Sequence, residues 1–168
     1  MNRRHVFSVV FLFMIAALWN VHCTRFFYLN FSCSVPRGIY LRVPQGEIRV
    51  GDCVVYLPTE ETVGIMRSFG WLSEDDSPHL FLKYVGVLSG GRYTVSAKSF
   101  FVDGKYIGEV LPVDSEGHSL PLAGGTHIVP EGEFLPVSCS SRSFDGRYTG
   151  TVPLDRIVAK VIPVLVVD

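Results

Sequence analysis

The sequence is poor in charged residues and has no excess of either sign. Lys, Arg, Asp and Glu make up 18% of its 168 residues, against roughly 25% in a typical soluble domain. The net charge is −1, whereas a nucleic-acid-binding protein normally carries a basic stripe, so we expect no nucleic-acid partner. The apolar share of 48% excludes an intrinsically disordered chain, which would be highly charged and poor in apolar residues.

Metal-binding patterns and common catalytic motifs are also missing. The four cysteines show no Cys-x-x-Cys spacing, and none of the five histidines lies in a His-Glu-x-x-His pattern. The Gly-x-Ser-x-Gly elbow of many serine hydrolases does not occur. We therefore expect neither a metal nor a cofactor, although a Ser/His/Asp triad remains open because its members meet in space rather than in sequence.

The N-terminal part of the chain is an apolar run without acidic residues. Between Val6 and Trp19 the only polar residue is Ser8, and no acidic residue occurs before Glu47. A helix over residues 6–23 would be roughly 27 Å long at about 1.5 Å per residue, close to the ~30 Å hydrocarbon core of a bilayer. The pattern predicts a transmembrane anchor.

Basic residues at the start orient this anchor. Arg3 and Arg4 precede the run, and the positive-inside rule places residues 1–5 in the cytoplasm. Residues 24–168 would then form an extracytoplasmic domain. The alternative is a cleaved signal peptide, whose apolar core has the same length, but no small-x-small cleavage site follows the run.

Outside the cytoplasm, disulfide bonds are chemically allowed. Cys23 lies at the membrane end and Cys53 lies in an apolar run, which leaves Cys33 and Cys139 as the favoured pair. The connectivity cannot be derived from the sequence.

From residue 32 onward the sequence predicts a mainly β domain of short strands. The pair Asp103-Gly104 between two apolar segments predicts a two-residue hairpin, and about residues 98–127 are expected to form a small β-rich lobe. One helix is predicted from an N-cap at Thr59 to about Phe69. The predicted strands are 39–43, 53–57, 80–87, 92–96, 100–102, 105–107, 128–129, 134–138 and 157–167.

One lysine lies in a strand segment that is apolar on both faces. In the predicted strand 80–87, Phe81, Lys83 and Val85 share one face. Burial lowers the pKa of a lysine, and a near-neutral lysine is a useful general base. The alternatives are that the Lys83 amine reaches the surface along its apolar stem, or that Lys160, in an equally apolar segment, is the special lysine.

A stiff corner lies just after the predicted anchor. Pro36 and Gly38 indicate a tight turn, Ser34 stands on it, and the hydroxyl of Ser32 is expected to point the same way. Serine and proline are common in ordinary turns, so this corner alone does not define a site.

Taken together and in order along the chain, these segments resemble type I signal peptidases. Segment 32–36 resembles the Ser-x-Ser-Met-x-Pro box, 83–91 the Lys-Arg-Val-x-Gly-x-Pro-Gly-Asp box, 129–134 the approach to the last box, and 143–153 the Ser-x-Asp-Ser-Arg-Tyr-x-Gly-x-Val-Pro box. Asn30, Gly38, Tyr40 and segment 114–121 look more like the TraF-type branch, the conjugative transfer signal peptidases. Ser89, Gly91 and segment 137–139 depart from the usual boxes without removing a residue proposed for catalysis.

The resemblance implies a signal-peptidase-like β fold and a Ser/Lys serine endopeptidase. Ser34 would be the nucleophile and Lys83 its general base. The Ser34 N–H and the Ser32 hydroxyl would hold the oxyanion, and Ser143 would orient the lysine amine. The resemblance also implies that Asp145 and Arg147 form a structural ion pair behind the site, which leaves Lys160 a structural role.

The resemblance further implies a membrane-tethered exported precursor as substrate, with small residues just before the cut. For the TraF branch this is a conjugative pilin precursor within a type IV secretion system. The expected location is the bacterial inner membrane, in contact with lipid, as a single-pass protein with its catalytic domain on the periplasmic side. Two alternatives remain: a general type I (leader) signal peptidase, and a non-catalytic membrane-anchored protein that binds pilus components.

Overall fold

The structure is a computed structural model that describes residues 26–167, and the predicted anchor at 6–23 lies outside that range. The strands are β1 (Phe27–Asn30), β2 (Arg37–Val43), β3 (Cys53–Tyr56), β4 (Phe81–Leu88), β5 (Arg92–Val95), β6 (Ser99–Val102), β7 (Lys105–Glu109), β8 (Gly125–Ile128), β9 (Glu133–Val137), β10 (Val152–Pro153) and β11 (Ile157–Val167). The helices are α1 (Glu60–Ser68), α2 (Gly146–Thr149) and a 3₁₀ turn at Leu154–Arg156. Within residues 26–167, no helix has the length and apolar character needed to span a bilayer.

The strands form two antiparallel sheets, which confirms the predicted mainly β class. The larger sheet has seven strands in the order β1-β2-β11-β3-β4-β9-β10, and the smaller has four in the order β7-β6-β5-β8. Every strand pair is antiparallel. Strand β4 therefore lies between β3 and β9, so its backbone is paired with a neighbouring strand along both edges.

The two sheets share one apolar core. Val87 of β4, Leu135 of β9 and Tyr148 of α2 are buried in the same cluster as Phe100 and Val102 of the smaller sheet. This packing removes apolar surface from water and ties the smaller sheet to the strands that carry the candidate site.

Local sequence signals account for the predicted helix and the predicted hairpin. The Thr59 hydroxyl accepts a hydrogen bond from the Thr62 N–H at 3.2 Å and caps α1. Asp103 and Gly104, with φ of 46° and 77°, form the two-residue turn between β6 and β7.

Four short elements were not predicted: β1, β10, α2 and the 3₁₀ turn at Leu154–Arg156. Strand β1 begins at Phe27, where the aromatic residues also fit a membrane interface, and β10 spans only Val152–Pro153. Helix α2 has four residues, which is too short for a periodic apolar pattern. Its start is instead fixed by the Asp145 side chain, which accepts a hydrogen bond from the Arg147 N–H at 3.2 Å.

Gly38 allows β2 to approach β11 closely. Its φ is +150°, and a Cβ there would overlap the Leu165 carbonyl oxygen. We expect Gly38→Ala to lower the free energy of unfolding by roughly 1–3 kcal/mol or more, the usual cost of overpacking, measured by urea denaturation. Gly64→Ala is the opposite control, because Gly64 lies in α1 with open space around it, so alanine should leave stability unchanged or raise it by up to about 1 kcal/mol. Equal stabilities of the two variants would contradict this account of the β2–β11 contact.

Candidate active site

Three separate parts of the fold bring polar side chains to one buried point. Ser34 lies in the loop between β1 and β2, Lys83 lies on β4, and Ser143 lies between β9 and α2. Their exposed fractions are 8%, 4% and 2%. A cationic side chain with 4% exposure is unusual, since a charge is costly to bury unless it is paired.

The three polar atoms are within hydrogen-bond distance of one another. The Lys83 Nζ lies 2.5 Å from the Ser34 Oγ and 2.5 Å from the Ser143 Oγ. The Ser143 hydroxyl also donates to the Ser34 Oγ at 3.1 Å. Within residues 26–167, the Lys83 ammonium has no carboxylate partner at salt-bridge distance.

Burial perturbs the titration of Lys83. Removal from water lowers the pKa of the Lys83 amine to about 8; the charge of Asp145 opposes this shift and that of Arg147 adds to it. At pH 7 the amine is therefore neutral in about a tenth of the molecules, far more than for an ordinary lysine, and a neutral amine next to a hydroxyl can accept its proton.

Hydrogen bonds fix the shape of the loop that carries Ser34. The Asn30 Nδ2 donates to the carbonyl oxygens of Val35 at 2.9 Å and Pro36 at 3.1 Å. The Tyr40 hydroxyl donates to the same Pro36 oxygen at 2.6 Å. Val35, the residue after Ser34, is buried in the core beside Tyr40. Core packing of Val35 and the hydrogen bonds of the turn therefore both fix the position of Ser34.

A second serine, Ser138 at the end of β9, holds the backbone of Ser34 from the other side. Its hydroxyl donates to the Ser34 carbonyl oxygen at 2.5 Å, and its side chain is buried. The Arg147 guanidinium donates in turn to the Ser138 carbonyl oxygen at 3.2 Å. The sequence did not point to Ser138, because it lies in segment 137–139, where the resemblance to the family boxes fails.

Ser32 lies beside Ser34 but is already hydrogen-bonded. Its hydroxyl donates to the Asn30 Oδ1 at 2.8 Å, and its oxygen accepts a long 3.4 Å bond from the Ser34 N–H. The two groups predicted as oxyanion donors are thus adjacent. The Ser34 N–H is held only weakly, and the Ser32 hydroxyl must rotate before it can bind a developing charge.

Asp145 and Arg147 form a fully buried ion pair behind the three central residues. The Arg147 Nε lies 2.9 Å from the Asp145 Oδ1, and the Arg147 Nη2 lies 3.1 Å from the Asp145 Oδ2. Both side chains are fully buried. Arg147 also donates to the Glu109 carbonyl oxygen at 2.5 Å, which ties β7 to this region. Burial raises the pKa of Asp145, and the Arg147 guanidinium opposes that rise.

Removal of one member of this pair should destabilise the fold. We expect Asp145→Ala to lower the free energy of unfolding by about 3–5 kcal/mol, because the Arg147 charge stays buried without its partner. Urea denaturation measures the loss. The double change Asp145→Leu with Arg147→Met should recover much of it, since two apolar side chains leave no unpaired charge. A single variant as stable as the parent would contradict this role.

The other lysine considered from sequence lies elsewhere. The Lys160 Nζ lies 2.7 Å from the Asp52 Oδ2 and its side chain is partly exposed. Lys160 thus has an acidic partner in Asp52, whereas Lys83 has none among residues 26–167. This pairing is consistent with a structural role for Lys160.

The predicted disulfide does not form in this structure. Cys33, Cys53 and Cys139 are free thiols. The Cys33 sulfur accepts a 3.5 Å hydrogen bond from the Ser140 hydroxyl instead of bonding to Cys139. Cys23 lies outside the described residues.

Among residues 26–167, one group of side chains has the spacing of a metal site. Ligand atoms of Asp114, Glu116 and His118 lie within 4.8 Å of one another. The Asp114 carboxylate, however, already accepts hydrogen bonds from the N–H groups of Glu116 and His118 at 2.8 Å and contacts the His118 ring at 2.7 Å. These contacts account for the cluster as a closed turn.

The chain matches known proteins over most of its length. The family model described as signal peptidase, peptidase S26, matches residues 2–166. The chain is also 29% identical over 157 aligned residues to the conjugal transfer protein TraF of Agrobacterium fabrum, and the alignment covers 83% of this chain and 82% of that protein. Since the family model extends over nearly the whole length, the chain belongs to the signal peptidase family, peptidase S26.

Proposed function

We propose that the chain is a serine endopeptidase in which Ser34 is the nucleophile and Lys83 the general base. The observation that carries the proposal is the placement of the Lys83 Nζ, 2.5 Å from the Ser34 hydroxyl and nearly closed to solvent. A buried lysine with a lowered pKa beside a serine is an established means of activating that hydroxyl.

In the first half of the reaction, neutral Lys83 takes the proton of Ser34 while the serine oxygen attacks the scissile carbonyl carbon. The Ser143 oxygen, 2.5 Å from Nζ, keeps the amine aimed at Ser34. When the peptide C–N bond breaks, protonated Lys83 gives its proton to the leaving amine. The N-terminal part of the substrate then remains as an ester on Ser34.

In the second half, Lys83 takes a proton from water, and the resulting hydroxide attacks the ester. The proton returns to the Ser34 oxygen as the acid leaves. In both halves the proposed donors to the negative carbonyl oxygen are the Ser34 N–H and the Ser32 hydroxyl, the latter after it rotates away from Asn30 Oδ1. One such donor typically contributes about 3–4 kcal/mol to transition-state stabilisation.

An exposed apolar surface beside Ser34 supports action at a membrane. Phe31, three residues before Ser34, is 79% exposed. Other exposed apolar residues lie on β1 and at the end of β11: Phe27, Leu29, Ile162, Val164, Leu165, Val166 and Val167. Both strands pair with β2. An apolar patch at one edge of the sheet favours contact with lipid, so we propose that the catalytic loop lies at the outer surface of the bacterial inner membrane.

The proposed substrate is a membrane-tethered precursor. The anchor predicted at 6–23 would hold enzyme and substrate on the same bilayer and raise their effective concentration. The similar Agrobacterium protein is named for conjugal transfer. From that name, together with the sequence resemblance to the TraF-type branch, we propose the pilin precursor of a conjugative type IV secretion system as the substrate.

The test of this function is cleavage by the purified full-length chain in detergent. The substrates are a conjugative pilin precursor and a general secretory precursor, each with small residues before the cut, and the products are identified by mass spectrometry. We expect one cut, just after the small residues, in the pilin precursor. Preference for the secretory precursor would indicate a general signal peptidase, and binding without cleavage would indicate a pilus-assembly binding protein.

A further inference from the structure

A cavity of about 440 Å³ is lined in part by Ser143, while Lys83 does not line it. Its lining is mostly apolar, with Trp71, Leu111, Val113, Leu120, Phe144 and Tyr148. The volume lies in the usual range of ligand pockets and exceeds that of any single side chain. It therefore accommodates a large side chain together with part of the backbone that bears it.

The aromatic wall of the cavity is held in place. The Trp71 ring meets the Phe144 ring edge-on at 5.2 Å, and Phe144 stacks on Tyr148 at 5.8 Å. The Tyr148 hydroxyl accepts the Leu111 N–H at 2.9 Å and donates to the Leu111 carbonyl oxygen at 3.2 Å. Such packing fixes the shape of the cavity before a ligand binds, so binding loses little free energy to the ordering of these rings.

The cavity and the candidate active site share Ser143. This residue lines the cavity, and its Oγ is 3.1 Å from the Ser34 Oγ. Ser143 thus connects the cavity to the candidate active site.

The mostly apolar lining of the cavity points to an apolar occupant, and few of its polar groups are left to bind a polar one. Asp114 is already bonded to the His118 ring and to two backbone N–H groups. Arg142 lines the cavity from an exposed position and, within residues 26–167, forms no salt bridge. The remaining polar side chains are the serine hydroxyls, which suit hydrogen bonds to peptide backbone.

We infer that this cavity is a specificity subsite that receives a large apolar side chain of the precursor, close to the scissile bond. The inference rests on the proposed peptidase function. It adds a second element to recognition, beyond the small residues expected just before the cut. Precursors without a large apolar residue at that position would bind less tightly.

Binding can be measured without turnover in the full-length Ser34→Ala variant in detergent. Trp71 lines the cavity and Trp19 is the only other tryptophan, so in a Trp19→Phe background the fluorescence reports on the cavity. The probes are synthetic peptides with an Ala-x-Ala segment before the cut, in which one Phe replaces Ala at each of four positions on either side. We expect one Phe position to tighten Kd by about tenfold or more, the usual discrimination of an apolar pocket.

Val113→Glu places a charge in the cavity lining and should remove this preference. Ile128→Glu is the matched control, because Ile128 is an exposed apolar residue on β8 and lines no part of this cavity; it should keep the preference. Equal Kd values for all peptides, or a preference that survives Val113→Glu, would overturn the subsite. Cleavage by the parent enzyme is assayed with the same peptides. Phe-dependent binding without any cleavage would support the subsite and overturn the peptidase function.

Discussion

Replacement of Ser34 by alanine is expected to abolish cleavage of the precursor while leaving the protein folded. In the proposed mechanism this change removes the atom that forms the covalent intermediate, so we expect kcat/KM to fall by about 10⁴–10⁶, as is usual when a nucleophilic serine is removed. Cleavage of the pilin precursor, followed by mass spectrometry with quantified enzyme, measures the effect. The binding of the precursor should change little, since the Oγ is small and nearly buried.

Ser68→Ala is the matched control. Ser68 lies on the surface of α1, and its hydroxyl donates only to the Ile65 carbonyl oxygen at 2.8 Å. This variant should cleave at the parental rate. Normal cleavage by Ser34→Ala would contradict the proposed nucleophile.

Lys83→Met should have an effect of similar size for a different reason. Methionine has nearly the same length and can fill the same space on β4, but it cannot accept the Ser34 proton. We expect kcat/KM to fall by at least about 10³. Lys160→Met is the control, because Lys160 pairs with Asp52 away from this site, and it should keep most of the activity.

Lys83→Met should also be more stable than the parent chain. In the folded chain the pKa of Lys83 is lowered to about 8 from an ordinary value of 10.5. The unfolded chain therefore binds the proton more tightly, and the parent loses stability as the pH falls from 10.5 to 8. The loss is on the order of 3 kcal/mol and is complete below pH 8. Lys83→Met removes this penalty, so urea denaturation at pH 7 should give a higher free energy of unfolding, and a destabilised variant would contradict the proposed cost of burying the amine.

The apolar pattern of strand 80–87 made Lys83 a candidate for a buried lysine but left Lys160 as a rival, and the resemblance to a family decided between them. The structure confirms that Lys83 is buried. No local sequence pattern indicates that Lys83 contacts Ser34, 49 residues away in sequence, or Ser143, 60 residues away. Those roles came from the resemblance to a family.

Features defined only by tertiary contacts were missed. The bond from Ser138 to the Ser34 carbonyl oxygen joins residues 104 positions apart, and nothing in the local sequence marks it. By contrast, helix α1 and the Asp103-Gly104 hairpin depend on neighbouring residues and were predicted correctly. The predicted pair Cys33 and Cys139 was wrong for this structure, because elimination among four cysteines carries no geometric information.

The proposed mechanism depends most directly on the proton affinity of the Lys83 amine. The measurement is an NMR titration of the full-length chain with ¹³C-labelled lysine, in which Lys83→Met assigns the Lys83 signal. The account predicts a pKa of about 8 for Lys83, together with a kcat/KM that rises with pH through the same value as the amine becomes neutral. A Lys83 pKa near the ordinary 10.5, or a kcat/KM that does not change between pH 6.5 and 9, would contradict it.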